Sequence, residues 1–330
     1  MSPIKKERNS SIELLRILLM VMIIMHHVVS SVIAPGFSSH GWACLDVVLH
    51  TAVIVFVLIS GYFGIRFSWK RFVSLIIQVV FYSVLLSLVT AYFNKGLHYK
   101  DLILAFMPFS NNYYWFVTAY LQLYLVAFFL NKTNQSLSDK EFFSLIGVLA
   151  FFVFYLGFLR KNGICSDGKN LVNFIFIYEI GHALRRYQLW LEGKMKWVYA
   201  GVTSMLVVIG ICYFIPDKNN LFVHAMAFLY KYNSPFLILL SVLIFLCFLN
   251  IHLHSKWINY LAASSFSIYL IHEHPLFREF AYVVPFQRIK EMGMDGFVLL
   301  GIVIVFAILL SLICMLVDKI RVLLFSYIIK

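Results

Sequence analysis

Charged residues are scarce in this chain, and their scarcity excludes an ordinary soluble domain. Only 13% of the 330 residues are Asp, Glu, Lys or Arg, whereas 62% are hydrophobic. Soluble domains carry about 25% charged residues, so this chain has too little polar surface to shield its apolar side chains from water. We predict an all-α integral membrane protein, because helices satisfy their own backbone hydrogen bonds in lipid.

Cysteine is also sparse, and its placement excludes two kinds of small module. The cysteines are widely scattered, form no C-x-x-C pair and are odd in number. A zinc site or a disulfide framework would need closer or more regular spacing. Internal repeats and low-complexity tracts are absent as well, so we predict one transmembrane domain over residues 1–330. The cysteines, interpreted as packing residues, are Cys44, Cys165, Cys212, Cys247 and Cys314.

The chain contains long apolar runs. A membrane-crossing helix needs about 20 predominantly apolar residues. The runs that reach this length predict a bundle of about ten transmembrane helices. They cover residues 12–33, 43–64, 72–93, 113–130, 142–159, 171–187, 197–214, 234–250, 257–275 and 296–317.

The basic residues indicate membrane topology. The formal net charge is +12, but Lys and Arg lie in short clusters between the apolar runs, which does not favour nucleic-acid binding. More of them fall on the side of the two termini than on the other side. Because cytoplasmic loops are enriched in Lys and Arg, we predict a multi-pass protein of the inner (plasma) membrane with both termini in the cytoplasm.

Two polar residues of the first apolar run share a helix face. Arg16 and His27 are separated by ten residues, which on an α-helix places them about 20° apart around the axis and roughly 16 Å apart along it. His26 is rotated away from Arg16 by about 80°. Ionisable side chains inside a bilayer are energetically costly, so the pair is a functional candidate.

Arg16 and His27 fit acyl transfer from a phosphorylated thioester donor. A guanidinium is suited to phosphate, and an imidazole in a low-dielectric site can take the proton of an attacking hydroxyl. Alternatively, Arg16 extends to the lipid headgroups and His27 makes a hydrogen bond inside the bundle. Their spacing alone leaves both interpretations open.

Two further motifs have both structural and functional interpretations. Ser60 and Gly61 are a small pair that permits close helix packing, although Ser60 is also placed to bond a ligand or His27. Trp115 belongs to an aromatic cluster at a helix end, which is typical of an interface belt. The same cluster is suited to stacking on sugar rings, so both interpretations stay open.

The ninth apolar run ends in a polar segment. Tyr269 and His272 precede Glu273 and His274, which raises the question of a metal site. An H-x-H pattern without further spaced ligands is a weak indication of metal. We therefore predict no metal site.

Together these motifs resemble the acyltransferase-3 family of membrane O-acyltransferases. Four features carry the resemblance, and in order they span almost the whole chain. They are Arg16 and His27 as an R-x10-H pattern, Phe56 to Tyr62 as F-x-x-x-S-G-[YF], the aromatic segment Tyr114 to Tyr124, and Ser267 to His272.

The resemblance implies an enzyme that transfers an acyl group, usually acetyl, from a cytoplasmic donor such as acetyl-CoA. The implied acceptor is a hydroxyl of a surface polysaccharide, such as a capsule, or of its lipid-linked precursor. His27 would be the catalytic base or acyl acceptor, and Arg16 would bind or orient the donor. No permanently bound cofactor and no nucleic-acid partner is implied. The donor- or acceptor-binding positions would be Ser60, Gly61, Trp115, Tyr269 and His272.

Two departures leave the subfamily and the acceptor open. Many O-antigen-modifying relatives carry a Trp-Ser-x-x-x-Glu type of segment, where this chain has Trp115, Phe116 and Gln122. Other relatives append a soluble esterase-like domain that this sequence lacks. The motifs most resemble those of stand-alone capsule and surface-polysaccharide O-acetyltransferases.

The main alternative is a glycan-lipid flippase or another transporter. Such a protein would show several charged residues at mid-membrane depth, or a repeat between its halves. The sequence shows sparse intramembrane charge and no repeat. A non-catalytic partner that scaffolds polysaccharide assembly is a third alternative, in which His27 would matter no more than an apolar neighbour.

Overall fold

Helices make up 85% of the computed structural model, which has no strand among the residues it describes. Those residues are 9–93, 99–110, 113–161, 166–216 and 218–328. The all-helical prediction is confirmed. In chain order the α-helices are α1 Ser10–Val28, α2 His40–Phe63, α3 Trp69–Phe93, α4 Tyr99–Phe106, α5 Trp115–Ser136, α6 Asp139–Ala150, α7 Leu171–Arg186, α8 Gln188–Leu191, α9 Met195–Cys212, α10 Leu221–Tyr230, α11 Pro235–Leu249, α12 Lys256–Ala262, α13 Ser265–His272, α14 Pro275–Arg278, α15 Val284–Glu291 and α16 Gly296–Ile328.

Six helices in the described ranges are long and apolar enough to cross a membrane. The segments 218–230 and 235–249 pass the same test only together, bent by 53°, and would make seven. A multi-pass membrane protein is therefore supported, but the predicted count of about ten is not confirmed. The six are Ser10–Ile33, His40–Phe63, Trp69–Phe93, Asp139–Leu159, Met195–Cys212 and Gly296–Ser326.

The other predicted runs form helices with identifiable departures from a simple span. α7 has 16 residues and is therefore about 24 Å long, shorter than the hydrocarbon core of about 30 Å. The run over 257–275 breaks between Ala262 and Ser265 into α12 and α13. α5 is long enough, but its last turns carry Asn131, Lys132 and Gln135. The cytoplasmic placement of the termini stays a prediction.

Among the six candidate spans, α1 and α2 are the most enclosed by protein, and their most apolar stretches are 56% and 72% buried. Gly61 of α2 lies directly against α7, where a Cβ would collide with the Tyr178 carbonyl. Gly181 of α7 is equally close to the Leu58 carbonyl of α2. Small residues at such a crossing let two backbones approach closely. The packing interpretation of Gly61 is thus confirmed.

Both ends of the first span are held by side chains. Asn9 caps α1 by accepting from the Ser11 and Ile12 amides, and Ser11 donates to the Ile251 carbonyl at 2.6 Å. A π-helical turn, Val29–Ile33, continues α1 beyond His27. The Lys290 ammonium donates to carbonyls of this turn at 3.1 and 3.2 Å. Carbonyls left open at a helix end need such partners, so α1 is fixed along its length.

The thiols pack as single side chains. Cys212 and Cys314 are buried, and Cys44 and Cys247 are half-buried. All four are free thiols. Cys165 lies outside the described residues.

Candidate functional site

Two cavities lie along α1. The one around His27, here called the His27 cavity, has a volume of about 550 Å³. The one around Arg16, the Arg16 cavity, has a volume of about 390 Å³. Phe116 of α5 lines both cavities and its side chain is almost fully buried. The ring of Phe116 therefore separates the two spaces that the R-x10-H pattern reaches.

His27 faces a carboxylate that comes from the other end of the chain. Its Nδ1 lies 2.6 Å from Oε2 of Glu273, the residue that follows α13. This distance favours a proton on Nδ1 of His27, directed at the carboxylate, although the pair does not have the geometry of a regular hydrogen bond. With that proton on Nδ1, Nε2 of His27 keeps a lone pair and is available as a base.

Trp115 and Tyr269 line the His27 cavity, whereas His272 lies behind it. The His272 ring is fully buried and its centroid is 5.3 Å from that of His27. Its Nδ1 is 2.6 Å from the Ile268 carbonyl, which can only accept. His272 therefore carries its proton on Nδ1 and packs edge-on against His27. The structure brings these predicted positions into one region.

His26 pairs with a different carboxylate. Its Nδ1 lies 2.8 Å from Oδ1 of Asp46 on α2. His50 stacks between the rings of Tyr230 and Tyr232, at centroid distances of 3.8 and 4.0 Å. His26 also lines the His27 cavity, so the predicted rotation of about 80° between His26 and Arg16 does not keep it out of this space. The cavity thus holds two adjacent histidines, each with its own carboxylate.

The Arg16 cavity has a simpler polar lining. Arg16 donates from Nη1 to Oε1 of Glu13 at 2.8 Å, and its side chain is 34% exposed. Ser60 bonds the Phe56 carbonyl at 3.0 Å and the Tyr120 hydroxyl at 3.1 Å. Ser60 lines this cavity together with Arg16 and does not line the His27 cavity. Gly61, one residue further, lines neither cavity among the described residues.

Sequence reasoning missed part of this site. Glu273 was noticed only as a weak metal ligand, and Asp46 and His50 were not singled out. A signal for the last two exists, because they are ionisable residues four positions apart in an apolar run, and such residues share a helix face. The pairing of Glu273 with His27 joins opposite ends of the chain, and no local pattern predicts it.

His27, His272 and Glu273 place one ligand atom each within 4.8 Å of one another, a separation that a metal ion can bridge. Two ligands of a tetrahedral zinc are roughly 3.3 Å apart. The 2.6 Å between His27 and Glu273 is shorter and fits a shared proton better. That no metal is bound stays a prediction.

The fold defines a multi-pass helical membrane protein with two cavities along its first helix. A family model described as an acyltransferase domain matches residues 9–316, nearly the whole chain. The chain therefore belongs to the acyltransferase-3 family, as the order of its motifs indicated. No curated protein and no solved structure matches the chain.

Proposed function

We propose that this protein is an O-acetyltransferase that moves an acetyl group from acetyl-CoA to a hydroxyl of a cell-surface polysaccharide or its lipid-linked precursor. Family membership supports a membrane acyltransferase in general. One observation carries the finer proposal: His27, set against Glu273, faces a cavity that Phe116 separates from the Arg16 cavity.

The Arg16 cavity is suited to the phosphorylated part of the donor. Glu13 holds one guanidinium nitrogen of Arg16. The other guanidinium N–H groups have no hydrogen-bond partner within the described ranges and can bind phosphate oxygens. Arg16 and His27 are roughly 16 Å apart along α1. A donor anchored at Arg16 therefore reaches His27 only through an extended arm that passes Phe116.

The proposed reaction needs only one base, His27, which carries the proton from the acceptor to the leaving group. His27 Nε2 takes the proton of the acceptor hydroxyl, whose oxygen attacks the thioester carbonyl. The new C–O bond forms, the C–S bond breaks, and the proton passes from His27 to the departing thiolate. Glu273 holds the Nδ1 proton in place and stabilises the imidazolium that forms between the two steps. Acetyl transfer then needs no covalent acyl-enzyme.

The acceptor side of the site has aromatic walls. Trp115 lines the His27 cavity, and its ring lies 5.4 Å from that of Tyr232. Flat aromatic faces of this kind are suited to sugar rings. Of the two interpretations of Trp115, its position at the cavity favours the binding one.

Buried carboxylates are more numerous than the sequence led us to expect, and a transporter would also use such groups. Each nevertheless has a local partner. Asp46 is paired with His26, Glu179 accepts from Asn134 at 2.8 Å, and Asp318 accepts from Tyr82 at 2.9 Å. Carboxylates with such local partners stabilise helix contacts and do not mark a continuous path, although Oε1 of Glu179 is buried without a hydrogen-bond partner among the described residues. The enzyme proposal is therefore preferred to the flippase.

NMR of purified surface glycan tests this proposal. A deletion strain is compared with the same strain complemented with the wild-type protein. We expect O-acetyl signals to vanish in the deletion strain and to return on complementation, while the amount of glycan at the surface stays the same. Loss of surface glycan with unchanged acetylation would instead support the transporter.

Phe116→Ala tests the separation of the two cavities. Removing the ring joins the spaces and admits water to the thioester arm, so we expect acetyl-CoA hydrolysis without acceptor to rise several-fold. Thiol release by the purified protein measures it. Phe245→Ala is the control, since this equally buried ring packs against Tyr62 away from both cavities. Equal hydrolysis by both variants would contradict a barrier role for Phe116.

A further inference from the structure

The rim of the His27 cavity is basic. Lys169, Lys231 and Arg278 all line it, and they come from three separate parts of the chain. We call these three side chains the basic rim. Lys169 is exposed, and the side chains of Lys231 and Arg278 are 25% and 41% exposed. The three cations therefore stand where an acceptor arriving from outside the bundle would meet them.

Carboxylates compensate the basic rim only partly. Asp167 lies 3.3 Å from Lys231 and is itself 65% exposed, so water weakens this pair. Oε1 of Glu273 lies 3.9 Å from Arg278, while Oε2 of the same carboxylate faces His27 at 2.6 Å, so one negative charge is shared between two cationic or ionisable groups. Lys169 contacts no carboxylate within the part of the chain that the structure describes. Its ammonium stands 5.2 Å from the centre of the Trp115 ring.

The predicted topology makes this placement unusual. It puts all three cations on the non-cytoplasmic side, where Lys and Arg are normally depleted. Cations that converge on one cavity create a positive potential, and the low-dielectric walls of the cavity focus it. That potential attracts an anion to the space next to His27.

We propose that the acceptor carries a negative charge, a carboxylate or a phosphate group, close to the hydroxyl that receives the acetyl group. This inference rests on the proposed function. A sugar ring stacked on Trp115 would place such a group beside Lys169. Arg278 adds a planar fork that binds carboxylate or phosphate through two parallel hydrogen bonds. A neutral sugar would leave the positive charge of the basic rim only partly compensated.

Acceptor glycan prepared from the deletion strain tests the proposal. It is offered to the purified full-length protein with labelled acetyl-CoA in three forms: untreated, with its carboxyl groups reduced to alcohols, and with its phosphate groups removed. We expect the KM for glycan to rise about tenfold on losing the recognised anion, which is about 1.4 kcal/mol of binding. The treated form that loses binding distinguishes a sugar carboxylate from a phosphate.

Substitutions in the basic rim test whether these residues cause the change in the KM for glycan. We expect Lys169→Gln and Lys231→Gln each to raise the KM for untreated glycan about threefold to tenfold. Both should leave the KM for acetyl-CoA unchanged and reduce the difference between untreated and neutralised glycan. Lys218→Gln is the control, because this lysine lines neither cavity.

Two outcomes overturn the inference. If all three glycan forms give the same KM, or if the rim variants behave like Lys218→Gln, the acceptor is not recognised by charge. The proposed function survives either result, because acetyl transfer still occurs. If the wild-type protein acetylates no form of the glycan, both the proposed function and this inference are wrong.

Discussion

His27→Ala is expected to reduce acetyl transfer to the level of a protein-free control. The residue is proposed to take the proton of the acceptor hydroxyl, and a positioned base of this kind contributes about 10²–10⁴-fold to a rate. Among the described imidazoles nearby, His50 is stacked between two tyrosine rings and His272 does not line the cavity. His26 does line it, but we expect its pairing with Asp46 on α2 to keep it from taking over the role of His27. Transfer of labelled acetyl to glycan by the purified protein measures the loss.

Binding measurements separate the chemical role of His27 from a structural one. His27→Ala should bind acetyl-CoA with nearly wild-type affinity, because the proposed donor site is at Arg16. Arg16→Gln should show the reverse pattern, with weaker donor binding and an intact base. His26→Ala is the neighbouring control and is expected to keep most of its activity. Equal losses from His26→Ala and His27→Ala at equal protein abundance would contradict the assignment of the base.

Helix geometry explains why the sequence predicted this part of the site. Regular α-helix extends over Ser10–Val28 and includes both Arg16 and His27. Their angular relation then follows from 3.6 residues per turn and needs no knowledge of tertiary packing. The π-helical turn that disturbs the helix begins only at Val29. The four motifs likewise predicted the family, which the match over residues 9–316 confirms.

Tertiary packing explains what the sequence did not predict. Phe116 of α5 lines both cavities, and no periodicity of the sequence predicts this placement. The ninth apolar run has the composition of a span, yet it divides into α12 and α13 at Ala263 and Ser264. Glu273 follows this division, at the C-terminal end of α13. The break that removes a predicted span is therefore close to the residue that completes the site.

The two histidine–carboxylate pairs allow the specific role of Glu273 to be distinguished from the general effect of removing a buried negative charge. Glu273 lies 2.6 Å from His27, and Asp46 lies 2.8 Å from His26. Both carboxylates are buried, and both histidines line the same cavity. Only the first pair is proposed to move protons. Neutral substitutions in the two pairs are therefore matched for burial, shape and lost charge.

Glu273→Gln is expected to lower kcat for acetyl transfer by about 10²–10⁴-fold, with little change in the KM for acetyl-CoA. The amide keeps the shape of the carboxylate but cannot stabilise the imidazolium. It can also donate to Nδ1, which would move the histidine proton to Nε2 and remove the base. Asp46→Asn makes the same change beside His26 and is expected to cost much less. If Asp46→Asn instead gives the larger loss in kcat, His26 is the base and the assignment to His27 is wrong.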